Sequence, residues 1–287
     1  MKFTAKTADQ GIIETFSKIV TTVARLSKNC VFRMTTDHLY FIQNESLKDR
    51  AQKLWIELVA SEFFEEYRME GFSTEANQIY LELYPDELQR ILKSTMHALL
   101  LRIKLTKKGT PLHPHLTFEI KQQLAGAQNP TVITHDIPVR VIKQTCWVEY
   151  PRPNPLQPDV GIVLPNLKQL QRVVNGLKNL SPKYLVVQAN HEGELRLEME
   201  TDTVNVWTYF TELTNTTRLE QEQPSHRSRL KQFFSVRLDI RTLSQFLNIQ
   251  HLTFCMLTLN LLHHRLAQLV IDRDEMKLQY FIPSVML

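Results

Sequence analysis

Glycine is scarce in this chain, seven residues in 287. Loops that cradle phosphates or dinucleotides depend on clustered glycine, because the backbone must approach the ligand closely. No G-x-G-x-x-G, no G-x-x-x-x-G-K-[ST] and no G-x-S-x-G elbow occurs, which excludes the common nucleotide-binding and serine-hydrolase frames. Cysteine is equally sparse. Cys30, Cys146 and Cys255 stand more than a hundred residues apart with no C-x-x-C pair, as expected of inert thiols in a reducing compartment. No run approaches the ~18–20 apolar residues of a membrane span. The start, "MKFTAKTADQ", lacks the apolar stretch of a signal peptide. These absences point to the nucleus or cytoplasm, with no membrane partner.

Metal and acid–base chemistry are also missing. His113 with His115 and His263 with His264 are close pairs, but no third ligand follows at helical or finger spacing. They read as solvated loop histidines. The carboxylate pairs Glu65–Glu66 and Asp272–Asp274 read as surface charge beside strands. The expectation is therefore no catalytic residue, no metal, no cofactor and no enzyme.

What is present is β-sheet. "KFTAK", "NCVFRM", "HLYFIQ", "KLWIELV", "NQIYLEL", "LLLRIKL", "HLTFEIK" and "TVITHDIPVRVI" are rich in β-branched and aromatic residues. Helical spacing interrupts them twice, over about 11–28 and about 86–97. A proline-dense stretch follows, with Pro151, Pro153, Pro155 and Pro158, which favours extended polyproline backbone. Residues 143–158 are thus expected to connect a first domain, 1–142, to a second, 159–287.

The second half repeats the order of the first: "VGIVL" leads into the amphipathic helix "PNLKQLQRVVNGLKNL", then come strands, a polar loop, a short helix from about Arg241 to Gln250, and more strands. An offset of 154 residues places Phe16, Val20, Val23 and Leu26 on Leu170, Val174, Leu177 and Leu180; an offset of 155 places Leu88, Ile91 and Leu92 on Leu243, Phe246 and Leu247. This predicts one α+β domain duplicated, each copy carrying two helices packed on antiparallel sheet.

The polar faces of three of these helices are basic. The first carries Lys18, Arg25 and Lys28, the second Arg90, Lys93 and His97, and the third Lys168, Arg172 and Lys178. Net charge is only +4, so placement matters more than the sum. Diffuse positive charge without interleaved aromatics suits the backbone of duplex DNA, read without sequence preference.

Longer segments then carry a resemblance. "YRMEGFS" (67–73), "NQIYLEL" (77–83), "RIKLTKK" (102–108), "VITHDIPVRVI" (132–142), "PDVGIVLP" (158–165), "GELRLEMET" (193–201) and "LQYFIP" (278–283) closely resemble the hydroxyurea-sensitivity subunits of the heterotrimeric DNA-damage checkpoint clamp, relatives of proliferating cell nuclear antigen. The resemblance implies the sliding-clamp (DNA clamp) fold and a ring of three different subunits. In such a ring Lys18, Arg25, Lys28, Arg90, Lys93, Lys168, Arg172 and Lys178 would face duplex DNA. It further implies two partner subunits of the Rad family, loading by an ATP-driven clamp loader, and a non-enzymatic scaffold that recruits signalling and repair proteins in the nucleus. Subunits would pair through edge strands containing Val132, Ile133, Thr134, Asp136 and Val139 on one side and Thr203, Val204, Val206, Thr208 and Phe210 on the other. Trp147 and Tyr150 in the connector would meet client proteins. The alternative is a homotrimeric replication processivity clamp.

Overall fold

The computed structural model describes residues 1–44, 53–95, 98–123, 129–217, 230–249 and 256–285. Cys255, Met96 and His97 lie outside them. The chain divides into two compact units, one of Met1–Asn44, Leu54–Arg152 and Arg273–Lys277, the other chiefly of Pro153–Asp272 and Leu278–Leu287.

In the first unit the order is β1 (Lys2–Thr7), α1 (Gln10–Leu26), β2 (Cys30–Met34), β3 (His38–Asn44), β4 (Lys53–Val59), α2 (Ala60–Phe63), β5 (Glu66–Glu70), β6 (Ile79–Leu83), α3 (Pro85–Leu92), β7 (Ala98–Lys108), β8 (His113–Gln122), β9 (Thr131–Pro138) and β10 (Arg140–Val141). One sheet runs β5-β1-β7-β8-β9; the other runs β10-β6-β2-β3-β4. Asp9 starts α1 by accepting a hydrogen bond from the Ile12 amide at 3.0 Å, satisfying one of the donors a helix start leaves orphaned. The helix buries Ile13, Phe16, Ile19, Val20, Val23 and Leu26. Phe16 lies at the centre, its ring 5.7–6.4 Å from those of Phe41, Phe63 and Phe64.

The second unit contains β11 (Val160–Val163), α4 (Leu167–Asn179), β12 (Leu185–Ala189), β13 (Leu195–Glu200), β14 (Asn205–Phe210), β15 (Phe234–Leu238), α5 (Ile240–Leu247), β16 (Thr258–Leu262), β17 (Leu266–Asp272) and β18 (Met276–Pro283). Its sheet orders are β14-β13-β12-β15 and β18-β17-β16-β11. Phe246 of α5 stacks on Tyr280, centroids 5.2 Å apart.

The two halves are copies of one pattern. In the first, β1 pairs β5 and β7, β2 pairs β3 and β6, and β7 pairs β8. In the second, β11 pairs β16, β12 pairs β13 and β15, and β16 pairs β17. Even β5 has a remnant: a single bridge joins Ile162 of β11 to Asn215. The aligned helix residues agree as well, with Phe16 and Leu170, Val20 and Val174, and Val23 and Leu177 all buried.

Several local expectations differ. Leu180 is 48% exposed because α4 ends one residue earlier and Leu180 caps it. The second helix stops at Leu92 and tightens into a 3-10 turn, Lys93–Thr95, whose Ser94 and Thr95 hydroxyls donate to the Ile91 and Leu92 carbonyls. "TVITHDIPVRVI" is two strands in different sheets, β9 and β10. His113 and His115 lie in β8, on either side of Pro114. His263 and His264 follow β16 in a turn, where His263 Nδ1 accepts from the Ser235 amide at 2.9 Å.

Candidate nucleic-acid interface and strand edges

Arg25, Lys28, Arg90, Lys93, Lys168, Arg172 and Lys178 are all exposed, and Lys18 is half-buried. In the first unit Lys18 and Arg25 project from α1 and Arg90 from α3, two helices packed against each other, with Lys28 just past α1 and Lys93 at the C-cap of α3. Lys18 Nζ lies 2.6 Å from Glu14 one turn earlier, and its hydrogen bond and charge hold the Glu14 carboxyl below the usual range. Lys18 is therefore compensated by a carboxylate of its own helix.

In the second unit Lys168 and Arg172 stand four residues apart on α4, with no carboxylate anywhere in the helix. The rest of that polar face is not free. Gln171 donates to Asn248 Oδ1 at 2.6 Å, Ser244 donates to Asn175 Oδ1 at 2.9 Å, and Lys178 Nζ is 3.5 Å from Ser244 Oγ. Asn175, and in part the exposed Lys178, serve a polar seam between α4 and α5. Helical period gives distance from the apolar stripe and is silent about which neighbour lies beside it.

The edge-strand residues fall on β9 and β14, which terminate their respective sheets. Two bounds need correction. Val139 lies past the end of β9 and is buried, its amide donating to the Pro114 carbonyl at 3.1 Å. Thr203 and Val204 precede β14 in a tight turn, where the Thr201 amide donates to the Val204 carbonyl at 2.9 Å and the Thr201 hydroxyl accepts from the Val204 amide at 3.1 Å.

These two turn bonds also fix which amides face outward. Antiparallel pairs alternate between hydrogen-bonded and non-bonded. Starting from Thr201–Val204, the pairs Met199–Val206 and Leu197–Thr208 are bonded to β13, so Asn205, Trp207 and Tyr209 turn their amides away from the sheet. Starting from Pro114–Val139, the pairs Leu116–Ile137, Phe118–His135 and Ile120–Ile133 are bonded to β8, which leaves the amides of Val132, Thr134 and Asp136 outward. Each edge thus offers three free donors in a row.

Packing at β14 is unfinished too. On β13 the inward residues Leu195, Leu197 and Met199 are each 1% exposed, whereas Val206, Thr208 and Phe210 on β14 are only half-buried. Neither charge nor proline interrupts the strand, the usual protection of an edge. On β9, Asp136 is held by Lys108 Nζ at 2.7 Å and the Thr117 hydroxyl at 2.6 Å, and these contacts lower its carboxyl pKa, the Lys108 bond most.

The connector begins with a 3-10 turn, Gln144–Glu149, ahead of its proline-dense part. Trp147 stacks on Tyr80 with centroids 4.6 Å apart and donates its indole N–H to the Ile142 carbonyl at 3.2 Å. Trp147, Tyr150 and Cys146 cover a buried cluster of Val31, Tyr40, Ile42, Trp55, Tyr80 and Ile142. The two rings face the chain's own sheet. Trp147→Ala is expected to lower stability by about 2 kcal/mol, the sum of a stacking contact and a hydrogen bond, with Trp147→Phe losing about half of that. Equilibrium urea unfolding checks both, and stabilities equal to that of the unmutated chain would remove the anchor role.

Among the described residues no group of three His, Cys, Asp or Glu side chains is placed to hold a metal, and no helix is long and apolar enough to cross a membrane.

Solved structures share this architecture. Proliferating cell nuclear antigen from Entamoeba histolytica superposes with a TM-score of 0.72 at 12% identity, covering 99% of both chains. The A. fulgidus PCNA bound to a C-terminal region of FEN-1 gives 0.65 at 13% identity, again over 99% of both. At the sequence level, the human checkpoint protein HUS1 is 37% identical over 285 residues, 99% of this chain and 100% of its own length. The Schizosaccharomyces pombe checkpoint protein hus1 is 28% identical over 242 residues, 82% of this chain and 81% of its own. The profile of the family described as Hus1-like protein matches residues 1–286. Its fold is that of the sliding clamps, and by sequence the chain belongs to the Hus1-like family of DNA-damage checkpoint clamp subunits.

Proposed function

We propose that this chain is one of three different subunits in a checkpoint ring, a non-catalytic scaffold that surrounds duplex DNA in the nucleus after an ATP-driven loader has opened and closed the ring. The observation that carries the reading is the pair of open strand edges, β9 and β14, each with three outward amides and the latter with a half-buried apolar row. One edge accepts a strand from one neighbour and the other edge accepts a strand from the next, a head-to-tail arrangement that closes into a ring. The basic faces of α1, α3 and α4 supply the charge that DNA needs. Residues 1–142 and 159–287 act as the two clamp domains and 143–158 as their connector, with Trp147 and Tyr150 as its anchors.

The reading is tested by mass in solution. The chain alone should elute as a monomer of 33.6 kDa, and should form a 1:1:1 assembly with two other clamp-type subunits of the same cell, measured by light scattering after size exclusion. A stable homotrimer of the chain alone would overturn it in favour of a processivity clamp.

A further inference from the structure

The connector ends in a second, different segment. Residues Arg152-Pro153-Asn154-Pro155-Leu156-Gln157-Pro158 place a cation three residues before the first of two prolines that are themselves three apart. Polyproline II backbone has three residues per turn, so Arg152, Pro155 and Pro158 lie along one edge, Asn154 and Gln157 along the second, and Pro153 and Leu156 along the third.

The structure presents this segment accordingly. Residues 151–158 belong to no helix or strand. Among the described residues none of their amides or carbonyls enters a backbone hydrogen bond, none has positive φ, and none of the four prolines follows a cis bond. Burial follows the three-residue period: Pro153 and Leu156 are half-buried, while Arg152, Asn154, Pro155 and Gln157 are exposed. Pro158 is half-buried where the chain enters β11. The edge that would be wasted in a complex is the one turned to the fold.

Arg152 is the only charged residue in the segment. Its guanidinium lies 3.0 Å from Glu57, with the Arg152 side chain 66% exposed. The Glu57 side chain is 12% exposed, so the pair is exposed on the arginine side only, where an acidic pocket competes for the guanidinium. In the exchange Glu57 Oε1 keeps the Tyr40 hydroxyl at 3.4 Å and His38 Nε2 at 3.7 Å, and Oε2 gives up Arg152.

We propose that residues 152–158 are a recognition segment for an SH3-type module, one whose aromatic grooves take x-Pro pairs and whose acidic pocket takes a preceding arginine. The x-Pro pairs are Asn154–Pro155 and Gln157–Pro158, and Arg152 supplies the cation. No Pro-Pro pair occurs in the segment, which disfavours WW and EVH1 modules. Four prolines in residues 151–158 restrict the backbone before binding and so lower its ordering cost. The free chain presents the segment as it stands, so the proposal does not depend on ring assembly.

The test titrates the full chain against a panel of purified SH3 domains of the class selecting a basic residue ahead of the two prolines, with WW domains as a second class. Micromolar binding by SH3 members is expected. Arg152→Ala should weaken it about tenfold or more, the size of a lost charge-assisted hydrogen bond. Pro155→Ala with Pro158→Ala should remove it, and Pro153→Ala, on the inward edge, should change it less than about threefold. Unchanged thermal midpoints establish that the variants are folded; were the double proline variant unstable, Arg152→Ala decides alone. Absence of SH3 binding, binding by WW domains only, or binding indifferent to Arg152→Ala would overturn the proposal.

Discussion

A chain carrying Trp207→Pro is expected to remain a folded monomer and to fail in ring assembly. The outward amides of β14 are those of Asn205, Trp207 and Tyr209, whereas Val206 is bonded inward to Met199. Proline at 207 therefore deletes a donor from the open edge and leaves the β13–β14 ladder intact. Edge strands tolerate such a proline when its missing N–H faces solvent. In the ring the same change strands a carbonyl of the neighbour and pushes the pyrrolidine ring into its strand, together about 3 kcal/mol or more. That is roughly a hundredfold or more in subunit affinity.

Two controls separate edge chemistry from side-chain loss. Trp207→Ala keeps the amide and removes an indole that is half exposed in the monomer, so it should assemble with a much smaller deficit. Val206→Pro should instead break the hairpin itself, unfolding the edge rather than merely blunting it. Size exclusion with light scattering reads assembly, and circular dichroism reads the fold. Normal rings from Trp207→Pro would show that β14 is not a pairing edge.

The choice between positions 206 and 207 marks how far the sequence reaches. Alternation along "NVWTYF" separates Val206, Thr208 and Phe210 from Trp207 and Tyr209 without any structure. Which of the two sets turns its amides outward depends on the bonded pair at the Thr201–Val204 turn, and no local pattern encodes that. The duplication was legible for a related reason. Core positions such as Phe16 and Leu170 must be apolar in both copies, and the intervals between them survive divergence. Trp147 is the opposite case: its partner, Tyr80, is 67 residues away, so in sequence it looks like a free aromatic in a linker. The hydrogen bonds of Asn175 and Lys178 to Ser244 were hidden for the same cause, because α5 lies against them only in three dimensions. Periodicity encodes depth along one element; lateral neighbours are set by topology.

The remaining large effect concerns charge. Reversing Lys18, Lys168 and Arg172 together to glutamate should weaken retention of the assembled ring on linear duplex DNA while leaving the fold unchanged. Lys168 and Arg172 are exposed and Lys18 is half-buried with its charge at the surface; surface substitutions of this kind shift stability by within about 0.5 kcal/mol. Binding should respond through counterion release. Each phosphate contact contributes about −0.9 to the slope of log K against log salt, so losing three makes the slope shallower by roughly two to three. Affinity at low salt should fall on the order of a hundredfold. The three are not equal. Lys18 already shares its charge with Glu14 at 2.6 Å, so Lys168→Glu with Arg172→Glu should account for most of the loss. Anisotropy titrations of labelled duplex over 50–200 mM salt measure slope and affinity together. An unchanged slope in the triple variant would mean that these helix faces do not meet DNA, whatever the ring does. A loss carried by Lys18 alone would instead place the DNA against the first unit.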